Sequence, residues 1–198
     1  WVDVGDDGSL DVEALNAAIG SKTKLVAITH MSNVLGTVTP LKEIVARAHA
    51  KGVPVLADGA QGAVHEIIDV QALDVDFYTL TGHKLYGPTG IGALYAKGAH
   101  LKAMRPFNGG GEMIREVTRD SVTYADAPAR FEAGTPAIIE SVGLMAALNY
   151  LSGFDRAAIA AHEHDLLAYG REQLGQFPWL RIIGDAPGKG AILSFEAQ

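Results

Sequence analysis

What most constrains the fold of this chain is the alternation of short apolar runs with stretches of helical spacing. Residues 24–30 (KLVAITH), 53–57 (VPVLA), 77–80 (FYTL) and 91–96 (IGALYA) are each short, apolar and rich in strand-forming residues. Residues 11–19 place Val12, Leu15 and Ile19 along one side of a helix. Thr39 followed by Pro40 predicts an N-cap and a first helical position, with the helix running to Gly52. Strands separated by helices predict a parallel, doubly wound α/β sheet. Only a Gly/Pro-rich turn separates the third run from the fourth, which allows an antiparallel last strand.

The texture then changes. Residues 99–136, with Gly109, Gly110 and Gly111 in a row and few apolar repeats, predict a long irregular excursion of the kind that usually carries function. Residues 138–151 and 156–173 read as two long helices, and 181–183 and 191–195 as strands. The pattern divides the chain into a large α/β unit over 1–150 and the start of a smaller α+β unit over 151–198. Trp1 is not preceded by a methionine and Gln198 stops within an apolar stretch, so the chain reads as a piece of something longer.

Composition removes several function classes. Lys and Arg number 16 against 23 Asp and Glu, a net charge of -7, and the basic residues are scattered. A nucleic-acid footprint needs a basic stripe, and none is present in the sequence. No apolar run has the length of a membrane span and no signal-peptide pattern opens the chain, which makes a cytoplasmic protein the expectation. With no cysteine, the chain itself holds no disulfide, no cysteine-ligated metal and no thiol nucleophile.

Chemistry concentrates where two predicted strands end. Residues 53–57 run directly into Asp58-Gly59-Ala60-Gln61, and 77–80 into Thr81-Gly82-His83-Lys84, followed by Leu-Tyr-Gly87-Pro-Thr-Gly90. In open α/β sheets, ligands sit beyond the carboxyl ends of the strands. A buried lysine there suits Schiff-base chemistry, since desolvation frees the amine from its ammonium form. A nearby carboxylate can hold a pyridine nitrogen protonated and make the ring an electron sink. Thr81 and His83 add donors of the kind a phosphate needs, and the glycines at 82, 87 and 90 allow close backbone approach. Singly, each of these is more often a cap, a surface charge or a turn; in this order, each after a strand, they are far more specific.

These two segments, with Arg130-Phe-Glu-Ala-Gly-Thr135-Pro136, closely resemble the cysteine desulfurases, pyridoxal-phosphate (PLP) enzymes of the class V aminotransferase group and fold type I. The likeness is closest to the Suf-type branch, which includes selenocysteine lyase-like enzymes. It runs from His30-Met-Ser-Asn33-Val-Leu-Gly36 to about Tyr150, and weakly beyond. Thr81 stands where relatives often carry serine, and the hydroxyl is kept.

The resemblance implies a fold type I large domain with a mostly parallel sheet, joined to a small α+β C-terminal domain. It implies that Lys84 joins the cofactor aldehyde and shuttles the substrate α-proton. Asp58 would pair with the ring nitrogen, Gln61 with the ring hydroxyl, and Thr81 and His83 with the phosphate. Asn33 would lie near the ring hydroxyl and the substrate carboxylate. Thr135 would reach the phosphate of the partner subunit in a homodimer, whose second active site the Gly109–Gly111 loop would line. The substrate would be L-cysteine, converted to L-alanine, with sulfur passing to an enzyme cysteine downstream of Gln198 and on to an acceptor protein for iron–sulfur cluster assembly. A histidine stacked on the ring would precede Trp1. The alternatives are a selenocysteine lyase, another class V enzyme, or a non-catalytic PLP-fold fragment serving as a dimerisation module.

Weaker signals are assigned bland roles. Gly184-Asp-Ala-Pro-Gly188-Lys189-Gly190 has one residue too few for a phosphate loop and lacks the hydroxyl after its lysine, so it reads as a turn. His162 and His164 fall on different helix faces and make a poor metal pair. His65 reads as solvated or packed. Leu144, Ala147, Leu148 and Leu151 read as the core face of their helix.

Overall fold

The computed structural model describes all 198 residues. The chain begins with α1 (Val12–Ala18), whose first turn is capped by Asp11 accepting from the Ala14 N–H at 2.9 Å. It continues through β1 (Val26–Thr29), α2 (Leu41–His49), β2 (Val55–Asp58), two single-turn helices α3 (Gly62–His65) and α4 (Val70–Leu73), and β3 (Phe77–Thr81). A 3-10 turn over Gly82–Leu85 leads to β4 (Gly92–Ala96).

The four strands form one sheet in the order β1-β2-β3-β4. β1, β2 and β3 are parallel, and β4 returns antiparallel against β3. The expected α/β architecture with its antiparallel last strand is what folds. Side chains alternate across the sheet, and the register puts Val26, Val55, Ala57 and Tyr78 on one face. There they meet Leu15 of α1 and Ile19 at its C-terminal cap, and Leu41, Ile44, Val45 and Ala48 of α2, in a single buried cluster. The opposite face carries Thr29, Asp58 and Thr79 in one row. One face makes the core; the other presents chemistry.

Two local expectations shift. Pro40, not Thr39, is the N-cap of α2. The Thr39 hydroxyl instead donates to the carbonyl oxygens of Thr29 and His30 at 2.8 and 3.2 Å, so it ties the loop to the end of β1. The helix stops at His49 with Ala50 as its cap, before the left-handed Gly52.

The stretch expected to be irregular holds short elements. These are α5 (Gly98–Ala103) and a hairpin of β5 (Ile114–Val117) and β6 (Val122–Tyr124), followed by a 3-10 turn over Ala129–Phe131. Their strands are only four and three residues long, Ile-Arg-Glu-Val and Val-Thr-Tyr, too short to show a period. Beyond them lie α6 (Ile138–Leu151), α7 (Arg156–Leu174), and an antiparallel pair of β7 (Leu180–Ile183) and β8 (Ser194–Ala197). The Gly184–Gly190 segment is the connection between those two strands, as read.

The core assignment on α6 needs correction. Leu151 is buried and Leu144 half-buried, but Leu148 is 45% exposed, as are Ile138, Ile139, Val142 and Met145 more strongly. The helix is apolar on all sides, so no stripe distinguishes an inward face, and most of its surface meets no other part of this chain.

Candidate active site

The site is built at the carboxyl ends of β2 and β3. Asp58 closes β2 and is paired in register with Thr79 of β3. Its Oδ1 accepts from the Ala60 N–H at 3.0 Å and lies 3.4 Å from the Thr79 hydroxyl. The Asp58 side chain is otherwise exposed, so the carboxylate is aimed by two contacts and still open to a ligand. Gln61 follows at the cap of α3 and is half-buried.

β3 ends at Thr81, on the same face as Thr79 by strand alternation. Its Oγ1 and His83 Nδ1 lie 3.0 Å apart. The tight turn after it depends on missing side chains. A Cβ on Gly82 would stand 2.7 Å from Ile91 Cγ2 and 3.1 Å from the Pro88 carbonyl oxygen. Gly87 donates its N–H to the Gly82 carbonyl at 3.0 Å, and Gly90 takes a φ of +81°. Lys84 sits inside this turn, half-buried and not deeply so, and His83 is exposed. The deeply buried lysine expected from the sequence is thus only partly shielded, because the face of the sheet beside it is open.

Asn33 lies in the turn after β1, exposed, above a Ser32 whose hydroxyl accepts from the N–H groups of Val34 and Leu35 at 3.2 and 3.1 Å. The parallel register sets the carboxyl ends of β1, β2 and β3 side by side, so the segments that carry Asn33, Asp58, Gln61, Thr81, His83 and Lys84 all leave the sheet at the same end. Thr135 is exposed in the loop before α6 and joins none of them through a hydrogen bond in this chain.

Two residues that sequence reasoning gave no role lie under the site. On the core side, His30 Nδ1 and the Tyr78 hydroxyl are 3.0 Å apart, with the rings edge to face at 83°. Both are buried, at 6% and 2% exposure. Burial lowers the imidazole pKa of His30, and raises the Tyr78 phenol with help from the negative charges of Asp58 and Glu66, so the pair is neutral. Only the His30 motif position was visible beforehand; its partner is 48 residues away.

His65, read as solvated or packed, is packed: it is half-buried and hydrogen-bonded to Glu163 on α7 at 3.0 Å. Beside it, Arg156 donates to the carbonyl oxygens of Val64 at 2.6 Å and Glu66 at 3.3 Å. These contacts fasten the end of α3 to α7. An apolar cavity of about 660 Å³ is lined by Leu80 and Leu94 of the last two strands, Ile67, and Leu148 and Phe154 near the α6–α7 junction. Its lining is mostly hydrophobic and includes none of Asn33, Asp58, Gln61, Thr81, His83 or Lys84, so it is not the site of the chemistry.

The donor set at the sheet edge fits a phosphorylated pyridine aldehyde. It combines an amine, a carboxylate with one free oxygen, an amide, and a hydroxyl–imidazole pair beside a glycine turn whose backbone can be approached closely.

Comparison with known proteins agrees with this reading. The aminotransferase class-V family profile matches residues 1–198. A cysteine desulfurase of Dickeya dadantii is 53% identical over 190 residues, covering 96% of this chain and 46% of that protein. One from Synechococcus elongatus is 50% identical over 194 residues, covering 98% of this chain and 31% of its own length. The crystal structure of the cysteine desulfurase CsdA (S-sulfonic acid) from Escherichia coli superposes with a TM-score of 0.92 at 40% identity, over 98% of this chain and 48% of that one. A mutant of C-DES with glycine covalently linked to its PLP cofactor gives 0.84 at 30% identity, over 99% of this chain and 52% of the other. The chain thus spans about half the length of most of the relatives it matches, and less of the cyanobacterial one. It belongs to the class-V aminotransferase family.

Proposed function

We propose that this chain is the cofactor-holding part of a PLP-dependent cysteine desulfurase that converts L-cysteine to L-alanine and passes the sulfur to an enzyme cysteine. The observation that carries the proposal is the register of Asp58 with Thr79, one short turn ahead of Thr81, His83 and Lys84. Bound PLP supplies an electron sink for the pair of electrons left at the substrate α-carbon.

This chain's residues do the rest of the work assigned to them. Lys84 holds the cofactor aldehyde through its amine and moves the proton at the substrate α-carbon. Asp58 keeps a proton on the ring nitrogen, which its aimed, partly free carboxylate suits. Gln61 hydrogen-bonds the ring hydroxyl. Thr81 and His83 hold the phosphate, and the Gly82 turn lets the backbone close around it. Asn33 orients the substrate carboxylate. No cysteine lies in this chain, so the sulfur-accepting thiol comes from elsewhere in the whole protein. Residues 1–150 form part of the cofactor-binding large domain, and 151–198 begin the small domain, consistent with the separate β7–β8 sheet.

The wider assignments belong to the same proposal. The whole protein is a cytoplasmic homodimer in which Thr135 reaches the partner's phosphate site, a role supported by its exposed loop. No helix is long and apolar enough to cross a membrane. The sulfur goes to an acceptor protein and to iron–sulfur cluster assembly. The test is spectroscopic. The full-length protein with PLP should show a visible absorption band that borohydride abolishes and Lys84→Ala removes, and should release alanine from L-cysteine. A full-length protein that stays colourless with added PLP rejects the reading; a preference for selenocysteine moves it to the lyase branch.

A further inference from the structure

The turn that carries Asp58 and Gln61 rests directly on the buried His30–Tyr78 pair. Glycine stands at both contact points. A Cβ on Gly59 would overlap the Tyr78 ring at Cε1, Cζ and the hydroxyl, and one on Gly62 would come within 2.6 Å of His30 Nδ1. The backbone on either side of Ala60 and Gln61 therefore lies flat on the two rings. The same residues also grip the strand end. The His30 N–H donates to the Asp58 carbonyl at 2.8 Å, and the Gly59 N–H to the Thr79 carbonyl at 3.0 Å, next to Tyr78. The Ala63 N–H then donates to the Gly59 carbonyl at 2.8 Å, which starts α3 from the same turn.

The pair is hydrogen-bonded to itself and takes no part in the exposed donor set. Its position fixes how high the 59–62 turn rides above the sheet, because aromatic rings do not compress and the glycines leave no gap. The height of the turn sets where the Ala60 N–H stands, and that N–H aims the Asp58 carboxylate. We propose that His30 and Tyr78 are positioning residues: through Gly59 and Gly62 they hold the Asp58 carboxylate where it can meet the ring nitrogen of the cofactor. The proposal rests on the PLP reading above. It adds a second layer to the site that makes no contact with the ligand.

The test uses the full-length holoenzyme with the variants Tyr78→Phe, Asp58→Ala and their combination. The readouts are the dissociation constant for PLP and the pH dependence of the bound cofactor's absorption. Tyr78→Phe removes the hydroxyl that both pairs with His30 and lies against Gly59, so the turn loses one of the atoms that set its height; the dissociation constant should rise about fivefold and the pH midpoint of the absorption band should move. In the Asp58→Ala background the same change should add little, because the two act through one carboxylate. A general loss of stability that leaves the turn in place would instead give additive effects and an unmoved pH profile. Should the single variant fail to fold with an unpaired His30, the double replacement His30→Leu with Tyr78→Phe leaves no orphan and is expected to show the same spectral change. Wild-type affinity and spectrum in these variants, or strict additivity, overturns the proposal. A wild-type protein without a visible band overturns the PLP reading instead, so the two failures are distinct.

Discussion

Thr79 places its hydroxyl 3.4 Å from Asp58 Oδ1, directly across the parallel β2–β3 pair. A threonine on an adjacent strand thus helps to aim the carboxylate that ends the strand before it. The two residues are 21 positions apart in sequence, and only parallel pairing makes them neighbours.

The Asp58 charge should matter more than its contacts. Asp58→Asn keeps a carbonyl oxygen for the Ala60 N–H but cannot hold the ring nitrogen protonated, so kcat of the full-length enzyme should fall roughly 100-fold or more. Thr79→Val removes only a long hydrogen bond and should cost about tenfold or less. Steady-state rates of alanine formation separate the two; equal losses would contradict the ranking.

The hydroxyl at Thr81 should be replaceable and its absence should not. Thr81→Ser retains the oxygen beside His83 Nδ1, whereas Thr81→Val keeps the shape and loses it. PLP affinity should stay near wild type in the first and drop about tenfold in the second. Titration of the apoprotein at constant salt measures both.

Gly82 should tolerate no side chain. In Gly82→Ala the new Cβ would press on Ile91 Cγ2 at 2.7 Å and on two carbonyl oxygens at 3.0 and 3.1 Å, which backbone cannot yield cheaply. A loss of about 1–3 kcal/mol in stability and weaker cofactor binding are expected. Gly98→Ala is the control: nothing lies within 4 Å, α5 begins there, and stability should rise by a few tenths to about 1 kcal/mol. Denaturant melts decide between them.

At the far end of the strands, Asp76 makes stability depend on acid. Burial alone would raise its pKa, but hydrogen bonds from His49 at 2.7 Å, His100 at 2.8 Å and the Val55 N–H at 2.8 Å outweigh that and bring it to about 2. A carboxylate with a depressed folded pKa stabilises above its unfolded value and loses that contribution as pH falls through the folded one. The contribution, about 2 kcal/mol at neutral pH, should therefore be complete above about pH 5 and fade between about pH 4 and pH 2. Asp76→Asn should flatten this part of the curve and lower neutral-pH stability by about 2–4 kcal/mol, since it leaves buried partners poorly matched. Thermal melts from pH 2 to pH 7 check the slope.

The strand and helix pattern was legible because its signals are local. Apolar runs of four to seven residues, the helical spacing over residues 11–19 and the Gly/Pro turn before β4 each sit within one element. Asp58 and Lys84 were legible for the same reason, since one closes a strand and the other lies in the turn that follows the next. Where the reading slipped, a long-range contact had overridden a local preference. Thr39 left its capping role to bond the end of β1. Leu148 is apolar but is only partly covered within this chain.

Sequence by itself determined which residue types end each strand and hence which chemistry the chain can hold, because turn glycines and apolar periodicity act over a few residues. Tertiary structure alone decided that Asp58 stands beside Thr79, that His30 and Tyr78 lie beneath the turn between them, and which face of the sheet stays open. Parallel strands join residues far apart in the chain, and no local preference records which side of a pleated sheet a helix will cover.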